Sequence, residues 1–321
     1  MSCCWSMENV KGMLKMIIWN DNFIMGIEQL DREHKQLFKM AGQILEKVQE
    51  RYNDEQYRIF ILRESITYLH NYFDTHVQQE EAYMLKIQYP GYAMHKALHD
   101  NFRKTILKKY QMIIKSGECR KEEVWDFIGT GIGWLLEHIA TADLAIVGKG
   151  YLSKKPVHLS LNEAALESEI NLAITSIFNI RANAKIINNQ YAGESFGSAI
   201  HHKIVFSSCS GQTTVIIGFE RCFVLSIAKM LYGSDIDNEP DLLMSTLDIF
   251  DTHFWTTIGR RFIGDQIQFS VEESHFIISS HLQQEFLQLK PTTSILFNSD
   301  NGLFYVASDV SFSNIADKEA I

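Results

Sequence analysis

Residues 76–99 read HVQQEEAYMLKIQYPGYAMHKALH, and their spacing decides how the first half of the chain folds. His76 and Glu80 are four apart, as are His95 and His99. On a helix such pairs stack on one face about 6 Å apart along the axis, so each pair can aim two ligand atoms at one point. Between them, Gln88-Tyr89-Pro90-Gly91-Tyr92 holds the proline and glycine that end one helix and reverse the chain into the next. Four potential metal ligands therefore converge from an antiparallel hairpin. A lone i,i+4 histidine pair is often an accident of surface or core; two ligand pairs facing each other across a hairpin are much less so.

The flanking segments extend the pattern. Over residues 25–52, Ile27, Leu30, His34, Leu37, Phe38, Ala41, Ile44, Leu45 and Val48 recur at helical spacing, which places His34 in an apolar stripe. The second helix, 54–86, carries Phe60, Ile61, Ile66, Leu69, Phe73, His76, Glu80 and Met84. A glutamate on that buried face is costly unless it is paired or binds metal. The third, 92–115, turns His95, His99, Phe102 and Ile106 inward and Arg103, Lys104, Lys108 and Lys109 outward as a solvated face. The fourth, 121–144, lines Val124, Phe127, Ile128, Gly131, Trp134, Leu135 and His138 along its inner side. Short loops between them predict an antiparallel up-down-up-down four-helix bundle, whose interior is a common place for metal. Asp143 is a further candidate, but five residues turn ~500° and leave it ~140° from His138 on a regular helix. It reaches the site only from a loosened or π-bulged turn.

Residues 19–148 resemble the bacterial hemerythrins. The likeness rests on Trp19-Asn20, Asp31-x-x-His34, Tyr72-x-x-x-His76-x-x-x-Glu80-Glu81-x-x-Met84, Tyr89-Pro90-x-Tyr92-x-x-His95-x-x-x-His99 and Trp134-x-x-x-His138-x-x-x-x-Asp143. The resemblance implies two Fe ions, one taking His95, His99 and His138, the other His34 and His76, with Glu80 and Asp143 bridging. With an oxo or hydroxo bridge the second iron keeps one position for O2 as ligand. Imidazole and carboxylate without thiolate suit iron or manganese, with zinc possible. No pair of Glu-x-x-His motifs of the ferritin-like oxidases occurs in this half, which favours reversible binding over substrate oxidation. His70 reads as a bundle or surface histidine.

The chain has 321 residues, 46% hydrophobic and 21% charged, enough for two globular domains each burying a core. No apolar run approaches the ~20 residues of a spanning helix, and residues 1–16 lack a signal peptide's apolar core, so a cytoplasmic protein without membrane contact is expected. Five cysteines without C-x-x-C spacing predict reduced thiols. Cys3 and Cys4 admit acylation or an inter-chain disulfide, with terminal cysteines of no role the simpler reading. The first 155 residues are nearly neutral, so the net charge of −9 sits in the second half, which argues against nucleic acid or anionic lipid as its partner.

Ser153-Lys154-Lys155-Pro156-Val157 reads as a linker. Beyond it the pattern predicts a helix over 162–179, strands over 184–191, 199–206 and 213–219, helices over 221–232 and 241–262, and strands over 266–271, 275–280, 292–298 and 303–312. Ser208-Cys209-Ser210-Gly211 and Asn301-Gly302 mark hairpins. This is a mixed α+β sheet with helices on one face, and its element order hints at an internal duplication. It resembles the CheX-like relatives of the chemotaxis phosphatases through 208–218, Ala228-Lys229-Met230-Leu231-Tyr232-Gly233 and the helix ending near Gly259. In that family an Asp/Glu-x-x-Asn pair orients water against a response regulator's phospho-aspartate. Aligned on Gly259, that slot holds Thr252 and Trp255; the nearby acidic pair is Asp248 and Asp251, and neither pair supplies the asparagine. Enzyme activity is therefore uncertain. His201, His202, His253, His275 and His281 have no mutual metal spacing and read as ordinary.

The expectation is an arm (1–16), a di-iron bundle (17–152), a linker (153–159) and a CheX-like α/β domain (160–321). Together they would form an oxygen or redox sensor, in a homodimer, that signals to a response regulator or another protein. A regulator phosphatase controlled by O2 and a simple O2 or iron store are the alternatives.

Overall fold

The structure, a computed structural model, describes residues 19, 21–51, 53–153, 163–178, 180–208, 211–232, 240–263 and 270–310. The arm with Cys3 and Cys4, the linker from 154 to 159, Cys209, Gly233 and the segment beyond 310 lie outside the described residues.

The bundle helices follow the apolar stripes. Helix α1 (Glu28–Glu50) buries Leu30, His34, Leu37, Phe38, Leu45 and Val48. Asp31 in its first turn accepts the backbone N–H groups of Met25 at 2.7 Å and Gly26 at 2.9 Å, holding the incoming chain against the helix start. Helix α2 (Glu55–Lys86) begins at Asp54, whose side chain accepts the Tyr57 N–H at 3.0 Å. The expected third helix is one rod in three parts: α3 (Tyr92–Asn101), a π-helical stretch (Phe102–Leu107) and α4 (Lys108–Ser116). Helix α5 (Lys121–His138) passes through a second π-helical stretch, Ile139–Asp143, into the short α6 (Leu144–Ile146).

Beyond the bundle come α7 (Glu163–Phe178), β1 (Lys185–Asn188), β2 (Ala199–Ser208), β3 (Gly211–Glu220), α8 (Arg221–Tyr232), α9 (Pro240–Ile263), β4 (Ser270–Ile277), α10 (Leu282–Leu289), β5 (Thr293–Ser299) and β6 (Gly302–Ser308). The six strands form one antiparallel sheet in the order β1-β5-β6-β3-β2-β4. Exchanging the triplet β1, β2, β3 with β4, β5, β6 leaves this order unchanged, so the strand order has the pseudo-two-fold symmetry, with swapped edge strands, that an internal duplication would give.

Two expectations need correction. The strand expected over 275–280 is the end of β4, which begins at Ser270, while residues 264–269 lie outside the described set. The helices are not confined to one face. Val215, Ile217, Phe219, Phe304 and Val306 pack toward α7, α8 and α9, whereas Ile216, Tyr305 and Ala307 pack on Leu282 and Phe286 of α10. Both faces of the central strands are apolar, so both need a cover; α10 is too short to show a helical period.

The two halves share one apolar core. Phe38, Ile128, Ile132 and Ile139 belong to the same buried cluster as Ile170, Phe250 and Ile217. Helix α5 is the reason: besides its bundle side it buries Trp125, Gly129, Gly133, Leu136 and Glu137, and α9 lies along that second side. A Cβ on Gly129 would stand 2.9 Å from the Leu242 carbonyl oxygen and 2.9 Å from Ser245 Cβ, and one on Gly133 would stand 3.2 Å from the Thr246 carbonyl oxygen. Only glycine lets the two backbones come this close.

Candidate metal centre

Seven donor side chains meet inside the bundle: His34 from α1, His76 and Glu80 from α2, His95 and His99 from α3, His138 from α5 and Asp143 from the π-helical stretch. All seven are buried. Their donor atoms fall into two groups that share Glu80, one with His95, His99 and His138, the other with His34 and His76. Within the first, His99 Nε2 is 3.0 Å from His138 Nε2, and Glu80 Oε2 is 3.2 Å from Nε2 of both His95 and His99. Within the second, the Nε2 atoms of His34 and His76 are 3.2 Å apart. Asp143 serves both groups, Oδ1 lying 3.0 Å from His138 and 3.3 Å from His95, and Oδ2 lying 3.2 Å from His34. The wider π turn brings Asp143 and His138 together where a regular helix would hold them apart.

These residues fit a cation. Glu80 Oε1 and both Asp143 oxygens are fully buried, yet among the described residues no group satisfies them with proper hydrogen-bond geometry. Unpaired buried carboxylate oxygens are costly, and a metal ion between the donors removes that cost.

The charges respond accordingly. Burial opposes charge on Glu80 and Asp143, but the surrounding histidines outweigh it and hold both carboxyls below the usual range. Burial also opposes an imidazolium at His95, yet Asp143 and Glu80 push it up to about 10. His138 is held down to about 4 by burial. A cation at these positions competes with protons for the same nitrogens.

A second layer orients the ligands. His76 Nδ1 donates to Glu33 Oε2 at 2.8 Å, and His99 Nδ1 lies 3.4 Å from Glu81 Oε1, itself 3.5 Å from Lys96 Nζ. A carboxylate on Nδ1 leaves the Nε2 lone pair free to face the centre. Trp134 stacks on His138 with centroids 4.3 Å apart, and Phe73 presents its edge to His99 at 6.0 Å. Glu33 was not singled out from sequence; its place directly before His34 was the available signal. His70 contacts Gln111, and it stands in neither donor group.

In the α+β half, Asp248 and Asp251 do come together, around a histidine that spacing gave no reason to notice. His202 on β2 is fully buried; its Nδ1 lies 3.0 Å from Asp251 Oδ2 and its Nε2 lies 2.7 Å from Ser274 Oγ and 3.2 Å from Asp248 Oδ1. Burial disfavours charge on the ring, but the two aspartates outweigh it and push His202 up to about 9. Asp251 is itself buried and Asp248 half-exposed. Trp255 is buried. His201 bonds Tyr305 instead, at 3.1 Å.

Comparison with known proteins agrees with the geometry. The hemerythrin HHE cation binding domain matches residues 25–149. A bacteriohemerythrin of Clostridium acetobutylicum is 30% identical over 129 residues, covering 40% of this chain and 96% of that protein. The chain belongs to the hemerythrin family. A second bacteriohemerythrin, from Stenotrophomonas maltophilia, is 24% identical over 147 residues, covering 46% of this chain and 86% of that one. Outside the hemerythrin bundle, a CheC-like superfamily protein from Shewanella sp. PV-4 is similar at 12% identity with a TM-score of 0.30, covering 47% of this chain and 97% of that structure. Among the described residues no helix is long and apolar enough to cross a membrane.

Proposed function

We propose that this chain is a non-haem di-iron O2-binding protein whose bundle senses oxygen or redox state and whose α+β half passes that state to a signalling partner. The observation that carries the reading is the arrangement of the donors: two groups share Glu80, and Asp143 offers one oxygen to each. In this reading His95, His99 and His138 would hold one iron and His34 and His76 the other, with Glu80 and Asp143 offering oxygens to both. An iron pair held there supplies reversible O2 binding. The chain's own part is to fix the donors and keep water out. Glu33 and Glu81 set the tautomers of His76 and His99, and Phe73, Phe102 and Trp134 wall the histidines with apolar surface. The unequal count of histidines, three against two, would give the second iron fewer protein donors.

Sensing is favoured over storage because α5, which carries His138 and leads into Asp143, is packed along its other side on α9. A store has no need of such a contact. A phosphatase action of Asp248 and Asp251 finds less support, since Asp251 is buried and bonded to His202. The signalling partner in this reading is a response regulator or a similar protein, with the chain acting as a cytoplasmic homodimer. Anaerobic O2 titration of the reduced, iron-loaded protein tests it. Uptake near one O2 per iron pair, reversed by lowering the O2 pressure, is expected; irreversible consumption of O2 would instead indicate an oxidase.

A further inference from the structure

Outside the donor set, polar side chains also stand where the bundle meets the α+β half: Asp126 of α5 accepts from Ser245 of α9 at 3.2 Å, and Glu137 lies farther along α5. Glu137 directly precedes His138, points away from the metal centre and is buried. Its Oε1 accepts from the Thr141 hydroxyl at 2.9 Å and from the Thr257 hydroxyl of α9 at 3.2 Å. Thr141 lies inside the π-helical stretch that delivers Asp143. A buried carboxyl at an apolar interface is costly without such partners, so its position is fixed by them.

The surroundings make this contact stiff. Gly129 and Gly133 let α5 and α9 pack so closely that a Cβ at either position would crowd Leu242, Ser245 or Thr246. Ile139 and Ala140 of the π-helical stretch share the buried core with Ile170 and Ile174 of α7. On its far side α9 holds the sheet, Asp251 and Asp248 meeting His202 of β2 and Asp248 also bonding Ser274 of β4. Segment 137–143 is therefore gripped from both sides, by the metal donors His138 and Asp143 on one and by α9 on the other.

We propose that the bond from Thr257 to Glu137 couples the metal centre to helix α9, so that a change of state at the iron pair is read as a change in the seating of α9 against β2 and β4. This rests on the O2-sensing reading. Glu137 is a positioning residue: it bonds Thr141 and Thr257, and it transmits the placement of the π-helical stretch. Coupling requires that the two states of the centre differ in this contact.

The test is hydrogen–deuterium exchange of the full-length, iron-loaded protein, anaerobically reduced and then air-exposed, with the visible spectrum recorded on each sample. Amides of α9 and β4 are expected to change their exchange rate about fivefold or more between the two states. Thr257→Val, which keeps the shape and removes the hydroxyl, should abolish that difference while leaving the spectrum as in the wild type; Thr257→Ser should restore it. A spectrum that cycles while α9 and β4 exchange identically in both states would overturn the coupling, as would a Thr257→Val protein that retains the difference. Absence of any spectral change on reduction overturns the O2-sensing reading itself, and the coupling with it.

Discussion

Replacing Gly129 and Gly131 of α5 by alanine, one at a time, separates helix propensity from the packing of α9. Both positions lie inside the same helix, so each substitution gains about 1 kcal/mol from the lower backbone entropy cost of alanine. At Gly131 the new methyl meets nothing within 4 Å among the described residues, and that gain stands alone. At Gly129 the same methyl would lie 2.9 Å from the Leu242 carbonyl oxygen, 2.9 Å from Ser245 Cβ and 3.0 Å from the Thr246 nitrogen. Two of these are backbone atoms of α9, so the helix must move, and overpacking of this kind costs about 1–3 kcal/mol. Gly131→Ala should therefore be more stable than Gly129→Ala by about 1–3 kcal/mol, or about 3 °C in Tm at the middle of that range for a chain of this length. Thermal unfolding of equally iron-loaded proteins by far-UV circular dichroism measures this, since the metal contribution cancels. Equal melting temperatures would refute the seating of α9 on α5.

Other outcomes follow from the same geometry. Glu33→Ala, which removes the partner of His76 Nδ1, should weaken metal affinity about 10–100-fold in chelator competition while leaving the fold intact; an unchanged affinity would deny Glu33 its orienting role. Glu80→Ala removes one of the two carboxylates shared by both groups, the other being Asp143, so metal analysis should find both ions depleted, and retention of a full complement would contradict the shared position. His202 is raised to about 9 from an ordinary 6.5, so its stabilisation is complete below about pH 6.5 and is lost as pH rises through about 9. That amounts to about 3 kcal/mol, seen as a steeper alkaline loss of stability for the wild type than for His202→Gln in urea unfolding at pH 6 and pH 10. Parallel losses in the two proteins would place the titration elsewhere.

The bundle and its donors were legible because periodicity and ligand spacing act over a few residues. Even the π-helical turn before Asp143 could be anticipated, since a five-residue step from His138 cannot serve one centre on a regular helix. The second side of α5 was not. Trp125, Gly129, Gly133 and Leu136 make that helix apolar nearly all round, which signals burial on two sides, but nothing in the pattern says that α9 is the neighbour. The shared core follows from that pairing. Helix α10 escaped notice because eight residues with Leu282 and Phe286 as the only fully buried positions show too little period. His202 escaped because its partners are distant along the chain: Asp251 stands 49 residues away and Ser274 72 residues away. Such clusters are products of tertiary structure, and no local rule finds them.

The most direct test of the account is metal content measured together with the visible spectrum, on the protein as purified, after anaerobic reduction and after return to air. The account predicts about two irons per chain and a ligand-to-metal charge-transfer band that disappears on reduction and returns with O2. Zinc in the site, or protein with no metal and no such band, would contradict it.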